Sequence, residues 1–165
     1  MDLRIGIGHD THRLVAGGPL RLGGIDIEFD GHLLGHSDAD VLLHAITDAI
    51  LGAAAMGDIG EHFPDTAAEN KNRSSIEMLK QVAEMVRFAG FDLVNLDCII
   101  FAEEPKLSPV KPRISQSIAR ILDLDVSRVN VKAKTGEAIG SVGTQECIMA
   151  QCVALLCQSQ TEEPT

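Results

Sequence analysis

The sequence predicts an α/β domain of two layers, α+β-like in that a mixed sheet is covered on one face by about three helices. Three observations carry that expectation. Short runs of alternating apolar residues recur along the chain, and three longer segments between them repeat apolar residues at helical spacing. The 165 residues are 45% hydrophobic and 23% charged, which is the composition and length of one globular unit able to bury roughly 70% of its unfolded surface. Residues 1–157 are read as that single domain and 158–165 as a disordered tail. A sheet covered on one side has a second face to hide, and its apolar strands predict association of copies into a closed ring.

Leu3-Arg4-Ile5-Gly6-Ile7-Gly8 alternates and then gives way to His9-Asp10-Thr11-His12, which reads as a strand delivering polar residues at its end. Leu20 to Leu22 and Ile25 to Phe29 alternate about Gly23-Gly24, the signal of a two-residue hairpin. A helix is expected after His36, with Ser37 as N-cap, Asp40 completing a capping-box-like pair, and a stop at Gly57 after Met56. Its apolar face holds Val41, Leu42, Ala45, Ile46, Ala49, Ile50 and Ala53. Asp40, His44, Thr47 and Asp48 form the other stripe. Asp58 to Asp65 reads as a loop, and the polar stretch from Thr66 to Arg73 as a solvated, mobile lid. Ser74 or Ser75 opens a second helix that Gly90 stops. A strand spans about Asp92 to Ala102, and after a proline-punctuated loop Ile114, Ile118, Ile121 and Leu122 share one face of a third helix. Val129 to Ala133 is a strand, Gly136 to Gly143 a loop, and Cys147 to Cys157 a buried strand or short helix.

Composition removes several classes of function. The chain has 24 acidic and 14 basic residues, a net charge of −10, and its five aromatic residues are all Phe. A nucleic-acid backbone would be repelled and bases would find almost no stacking platform. No apolar run approaches the roughly 20 residues of a membrane span, and Met1 leads straight into alternating apolar residues rather than a signal peptide, so a cytoplasmic protein is expected. Cys98, Cys147, Cys152 and Cys157 lie in apolar stretches without Cys-x-x-Cys spacing and read as reduced packing residues.

Three clusters carry chemistry. Asp10 and His12 stand two apart, so in an extended strand their side chains leave on the same side, where one cation takes both. His44, off the core stripe, is a candidate third ligand that leaves an open position, the arrangement of a catalytic Zn²⁺ site. Against this, Asp-x-His pairs arise by chance, and His44 has Asp40 and Asp48 one helical turn away as alternative partners. The segment from His36 to Asp40 places backbone N–H groups and the Ser37 hydroxyl at a helix start, suited to an anion or to an ordinary cap. Asp58, Gly60 and Asp65 either accept from sugar-like hydroxyls or hold their own loop. In the segment from Lys132 to Glu137, Lys132, Lys134 and Thr135 suit a diphosphate and Glu137 a hard Mg²⁺, unless these are only solvated charges around a turn.

Five segments taken together resemble the 2-C-methyl-D-erythritol 2,4-cyclodiphosphate synthase family from Ile5 to Leu156. They are Gly8 to Leu14, Leu34 to Val41, Gly57 to Gly60 leading to Phe63-Pro64-Asp65, Pro105-Lys106, and Asn130 to Thr135. The resemblance implies a homotrimer with active sites between subunits, Zn²⁺ on Asp10, His12 and His44, and a second divalent ion, Mg²⁺ or Mn²⁺, near Glu137. It implies a substrate, 4-diphosphocytidyl-2-C-methyl-D-erythritol 2-phosphate, whose own 2-phosphate attacks the β-phosphorus to release CMP. Asp58, Gly60 and Asp65 would face the erythritol, and Ser37, Ile59 and Phe63 would also bind substrate. The segment from Ala102 to Ser108, with Pro105, Lys106 and Leu107, would form the cytidine pocket, Lys132, Ala133 and Lys134 would bind substrate, and His36 and Thr135 would help stabilise the transition state.

The residue inventory suits this chemistry. A phosphate monoester is largely dianionic at neutral pH, so the attack needs cations and alignment rather than a protein base. One departure is visible: where many family members carry an Arg after the catalytic Glu, this chain has Thr144, which implies weakened anion binding at the trimer axis. The same residues also fit two other readings, a Zn²⁺-dependent phosphoesterase and a non-enzymatic metal-binding trimer.

Overall fold

The computed structural model describes residues 2–64, 66–67, 70 and 73–159. Its central feature is a five-stranded sheet in the order β4-β1-β7-β5-β6. The strands are β1 (Leu3–Ala16), β4 (Gly31–Leu33), β5 (Phe91–Phe101), β6 (Val129–Lys134) and β7 (Cys147–Gln158). Only β5 and β6 run parallel; β7 is antiparallel to both β1 and β5, and β4 to β1. A separate hairpin joins β2 (Leu20–Leu22) to β3 (Ile25–Ile27) across Gly23 and Gly24. Both glycines have positive φ, 63° and 77°, as a two-residue turn with right-twisting strands requires.

Three long helices, α1 (Val41–Ala54), α3 (Ser75–Phe88) and α4 (Lys111–Leu122), pack on one face of the sheet, while α2 (Ile59–His62) and α5 (Gly140–Gly143) are single turns within the expected loops. The two-layer mixed architecture is the one the apolar periodicities predict. Among the described residues no helix is long and apolar enough to cross a membrane.

The even residues of β1 face α1, and two of them are glycine for a steric reason. A β-carbon on Gly8 would lie 1.9 Å from the Ala45 carbonyl oxygen, and one on Gly6 2.0 Å from that of Ala49. With Ala45, Ala49 and Ala53 opposite, helix and strand backbones come almost into contact, and this seats the helix that carries His44 on the strand that carries Asp10 and His12. The odd residues of the same strand point away from the helices. There Ile5 is 73% and Ile7 70% exposed, and both pair across the strands with Leu155 and Val153.

Several local expectations are corrected. Strand β1 continues to Ala16 because β4 pairs with its last residues, so Asp10 and His12 sit within a strand rather than at its end. Helix α1 is capped by Asp40, not Ser37. Ala39 has a φ of +55°, which breaks the helix before Val41, and the Asp40 carboxylate accepts from Leu43 N at 3.1 Å. That carboxylate is fully buried and also accepts from Gly23 N (2.9 Å) and Gly24 N (2.7 Å), tying the hairpin to the helix start. Asp40 thereby occupies the amides of Leu43, Gly23 and Gly24 from within the chain. Ala55, at a φ of +58°, ends the helix before Gly57. The segment from Cys147 is the strand β7 at the centre of the sheet, and it extends to Gln158, paired with Phe91; residues 160–165 of the expected tail lie outside the described residues. All four cysteines are free thiols, as expected of packing residues.

Candidate functional site

Strand alternation places Asp10 and His12 on the helix side of β1, and the glycine-mediated approach of α1 brings His44 down onto them. Asp10 Oδ2 lies 2.9 Å from His44 Nδ1 and 3.0 Å from His12 Nε2, and the two ring nitrogens are 3.1 Å apart. All three side chains are partly buried and offer one ligand atom each toward a common point. His44 therefore faces Asp10 rather than Asp40 or Asp48.

Counting protons shows what such a triangle accepts. His12 Nδ1 is 2.7 Å from the Leu34 carbonyl oxygen, which can only accept, so Nδ1 carries the proton and the neutral ring turns a lone pair on Nε2 toward Asp10. Asp10 adds another acceptor. In the absence of a cation the cluster must bind protons. Burial opposes charge at both residues, but hydrogen bonds and opposite charges outweigh it: His12 and His44 hold Asp10 well below the usual carboxylate range, and Asp10 with the Leu34 carbonyl raises His12 above an ordinary imidazole. A divalent ion would take the place of those protons. Two imidazole nitrogens and a carboxylate oxygen, one from each side chain and turned toward one another, are the ligand types that suit Zn²⁺. The donor set fits the group.

The triad opens into a cavity of about 620 Å³. His36, Ser37, Ile59, Gly60 and Phe63, all singled out from the sequence, line it, so the segments from Leu34 and from Gly57 converge on the triad. Asp58 caps α2 by accepting from Glu61 N at 3.0 Å, which is the loop-holding reading of that residue. Asp65 lies outside the described residues. Of the stretch expected to be a lid, Thr66, Ala67, Asn70 and Arg73 are described; Asn70 is buried in the cavity wall, donates to the Pro64 carbonyl and accepts from Arg73, whose guanidinium lies 4.8 Å from the Phe63 ring centre.

Besides Asn70, two polar residues beside the triad are absent from the sequence-based set of site residues. Asp48 lines the cavity one helical turn after His44 and accepts from Ile59 N at 2.8 Å. Burial, with Asp58 and Asp10 nearby, pushes it above the usual carboxylate range. Its stripe with His44 was visible in the sequence and was the signal. Ser75 Oγ lies 2.9 Å from His44 Nε2, a contact between two helices that no local pattern announces.

The remaining predicted residues form a second cluster, at the carboxyl ends of the parallel pair β5 and β6. Ala102 N donates to the Lys134 carbonyl, and Gly136 N to Glu103 Oε2, joining the turn that holds Pro105, Lys106 and Leu107 to the segment of Ala133, Thr135 and Glu137. Thr135 Oγ1 donates to Glu137 Oε1 at 2.8 Å, and Lys106 Nζ donates to the Glu103 carbonyl at 3.1 Å. Lys132 departs from its expected grip on phosphate. Strand alternation puts its ammonium on the open sheet face, 2.6 Å from Asp97 Oδ2. None of this cluster lines the cavity of the triad. Three strand spacings, about 14 Å, separate β1 from β6.

The sequence model of the YgbB family matches residues 3–157. A 2-C-methyl-D-erythritol 2,4-cyclodiphosphate synthase of Chromobacterium violaceum is 57% identical over 156 residues, 94% of this chain and 99% of that protein. Among solved structures, the bifunctional IspDF of Campylobacter jejuni superposes with a TM-score of 0.91 at 44% identity, over 95% of this chain and 42% of the larger one. The CDP complex of IspF from Plasmodium falciparum gives a TM-score of 0.84 at 32% identity, over 96% and 97% of the two chains. Sequence, fold and site geometry agree, and the chain belongs to the YgbB family, the 2-C-methyl-D-erythritol 2,4-cyclodiphosphate synthases.

Proposed function

We propose that the protein is a CMP-forming phosphorus–oxygen lyase, converting 4-diphosphocytidyl-2-C-methyl-D-erythritol 2-phosphate to 2-C-methyl-D-erythritol 2,4-cyclodiphosphate for isoprenoid precursor synthesis. The observation that carries the reading is the triangle of Asp10, His12 and His44 at the mouth of a cavity, in a chain whose relatives bear that synthase name. An oxygen of the 2-phosphate bonds to the β-phosphorus as the bond from that phosphorus to the bridging oxygen breaks, and CMP leaves with the bridging oxygen. Nothing outside the substrate is consumed, and both phosphates are anionic. The barrier is therefore one of alignment and charge repulsion.

Asp10, His12 and His44 would hold Zn²⁺, which supplies Lewis acidity to phosphoryl oxygens when bound. His36 and Ser37, with Ile59, Gly60 and Phe63, form the wall that folds the polyol back on itself, and Asp65 belongs with them by resemblance. Ala102, Pro105, Lys106 and Leu107 receive the cytidine, Lys134 and Thr135 approach the diphosphate, and Glu137 is the ligand for Mg²⁺ or Mn²⁺. The solved CDP complex of the Plasmodium falciparum relative supports a cytidine diphosphate ligand.

Among the described residues these two sets do not share the cavity of the triad, and Ile5, Ile7 and Val153 leave an apolar sheet face open. Both facts support a homotrimer in which the triad of one copy meets the nucleotide loops of its neighbour. The test is incubation of purified protein with the cytidyl substrate, Zn²⁺ and Mg²⁺, followed by identification of products. CMP with the cyclic diphosphate is the expected outcome. Inorganic phosphate would mark a phosphoesterase, and absence of turnover together with absence of cytidine nucleotide binding would mark a metal-binding scaffold.

A further inference from the structure

We propose that Asp38 and Ser75 are positioning residues, a carboxylate and a hydroxyl that act in series to hold His44 with its proton on Nε2 and its Nδ1 lone pair turned toward Asp10 and His12. The inference rests on the metal assignment proposed above. It follows from a proton count of the contacts behind the triad. Ser75 Oγ is hydrogen-bonded to Asp38 Oδ1, and a carboxylate only accepts, so the single hydroxyl proton of Ser75 is committed to Asp38. Toward His44 the hydroxyl can only accept, at 2.9 Å, which requires a proton on Nε2. Nδ1 is then the unprotonated nitrogen of the neutral ring, and it is the one 2.9 Å from Asp10 Oδ2.

Ser37 Oγ, 3.1 Å from the same Nε2 and accepting from Ala39 N, adds a second acceptor behind the ring. Asp38 is itself fixed by Arg21 Nη1 at 3.5 Å and by the Ser75 amide at 3.2 Å to each oxygen. The β2–β3 hairpin, the turn before α1 and the first residue of α3 therefore converge on one side chain of α1. Anchoring α3 needs only the Ser75 amide. The hydroxyl, on a residue 1% exposed, is what reaches His44. Partners behind a metal-bound histidine of this kind fix the tautomer and raise ligand basicity, and their loss costs about ten- to a hundred-fold in metal affinity.

The test uses full-length protein stripped of metal and titrated with Zn²⁺ against a chromophoric chelator, with Co²⁺ absorption as a spectroscopic readout of the coordination sphere. Ser75→Ala is expected to bind Zn²⁺ at least ten-fold more weakly and to shift the visible Co²⁺ bands, as removal of a hydroxyl that only anchored a helix would not. Asp38→Asn keeps the side-chain shape and is expected to weaken binding several-fold. It carries the test should Ser75→Ala fail to fold by circular dichroism. Ser74→Ala, whose hydroxyl makes no capping bond, is expected to match the parent. Folded Ser75→Ala and Asp38→Asn proteins with unchanged affinity and unchanged Co²⁺ spectra would overturn the inference. A parent chain that takes up neither ion would overturn the metal assignment itself.

Discussion

Gly8→Ala is the substitution that most sharply joins the fold to the site. Its new β-carbon would stand 1.9 Å from the Ala45 carbonyl oxygen and 2.6 Å from Ala49 N, both backbone atoms of α1 that no rotamer change can move. Ordinary contact at about 3.4 Å requires strand and helix to part by about 1.5 Å. Overpacking of this kind costs 1–3 kcal/mol in typical cores, and a clash with backbone on both sides belongs at the upper end, about 3 kcal/mol. For a domain of this length that is a fall of about 6–12 °C in Tm. The displacement also separates His44 from Asp10 and His12, so zinc affinity should fall at least ten-fold. Thermal unfolding and chelator competition on one preparation read both effects. Gly52→Ala is the internal control on the same helix: its β-carbon has its nearest neighbour, the Ile7 carbonyl oxygen, at 3.8 Å, and it should stabilise by about 0.5–1 kcal/mol through helix propensity. A Gly8→Ala protein that melts with the parent and binds zinc as tightly would refute the idea that backbone contact sets the triad.

Further outcomes follow from the same geometry. His44→Ala should fold but lose zinc and turnover together, checked by elemental analysis and product assay. In metal-free protein the Asp10–His12 pair should stabilise most fully below about pH 6.5, the ordinary imidazole value, and lose that contribution as pH rises through the raised value of His12. Asp10, held far below its ordinary value, stays charged throughout that range. With Zn²⁺ present the trend should reverse, because the ligand nitrogens must be unprotonated, and melting at pH 6 and pH 8.5 with chelator or with metal reads both signs. If the proposed trimer forms, Ile7→Asp, on the open sheet face, should convert it to single chains by analytical ultracentrifugation while leaving the far-UV spectrum intact. Lys106→Ala should raise KM for the cytidyl substrate more than it lowers kcat.

The parts of this protein legible in its sequence are those written with a local period. Alternation placed Asp10 and His12 on one side of a strand wherever that strand ended, and the helical stripe set His44 apart from the core. The cap of α1 was misread because Ser37 and Asp40 imitate a capping box, whereas the deciding partners of Asp40 are hairpin amides seventeen and sixteen residues upstream. Strand β4 escaped notice because three residues carry no period, and it forms only by pairing with the end of β1. Strand β7 was ambiguous because a central strand beneath helices is nearly continuous in apolar residues. Lys132 looked like a phosphate ligand in sequence, and only its register opposite β5 shows the ion pair with Asp97. The contact of Ser75 with His44 joins two helices and has no local signature at all.

Diffraction data collected at the zinc absorption edge from crystals grown with the metal test the central assignment most directly. The account predicts one strong anomalous peak per chain within about 2.0–2.2 Å of Asp10 Oδ2, His12 Nε2 and His44 Nδ1. A bare triad with the zinc bound elsewhere would contradict it.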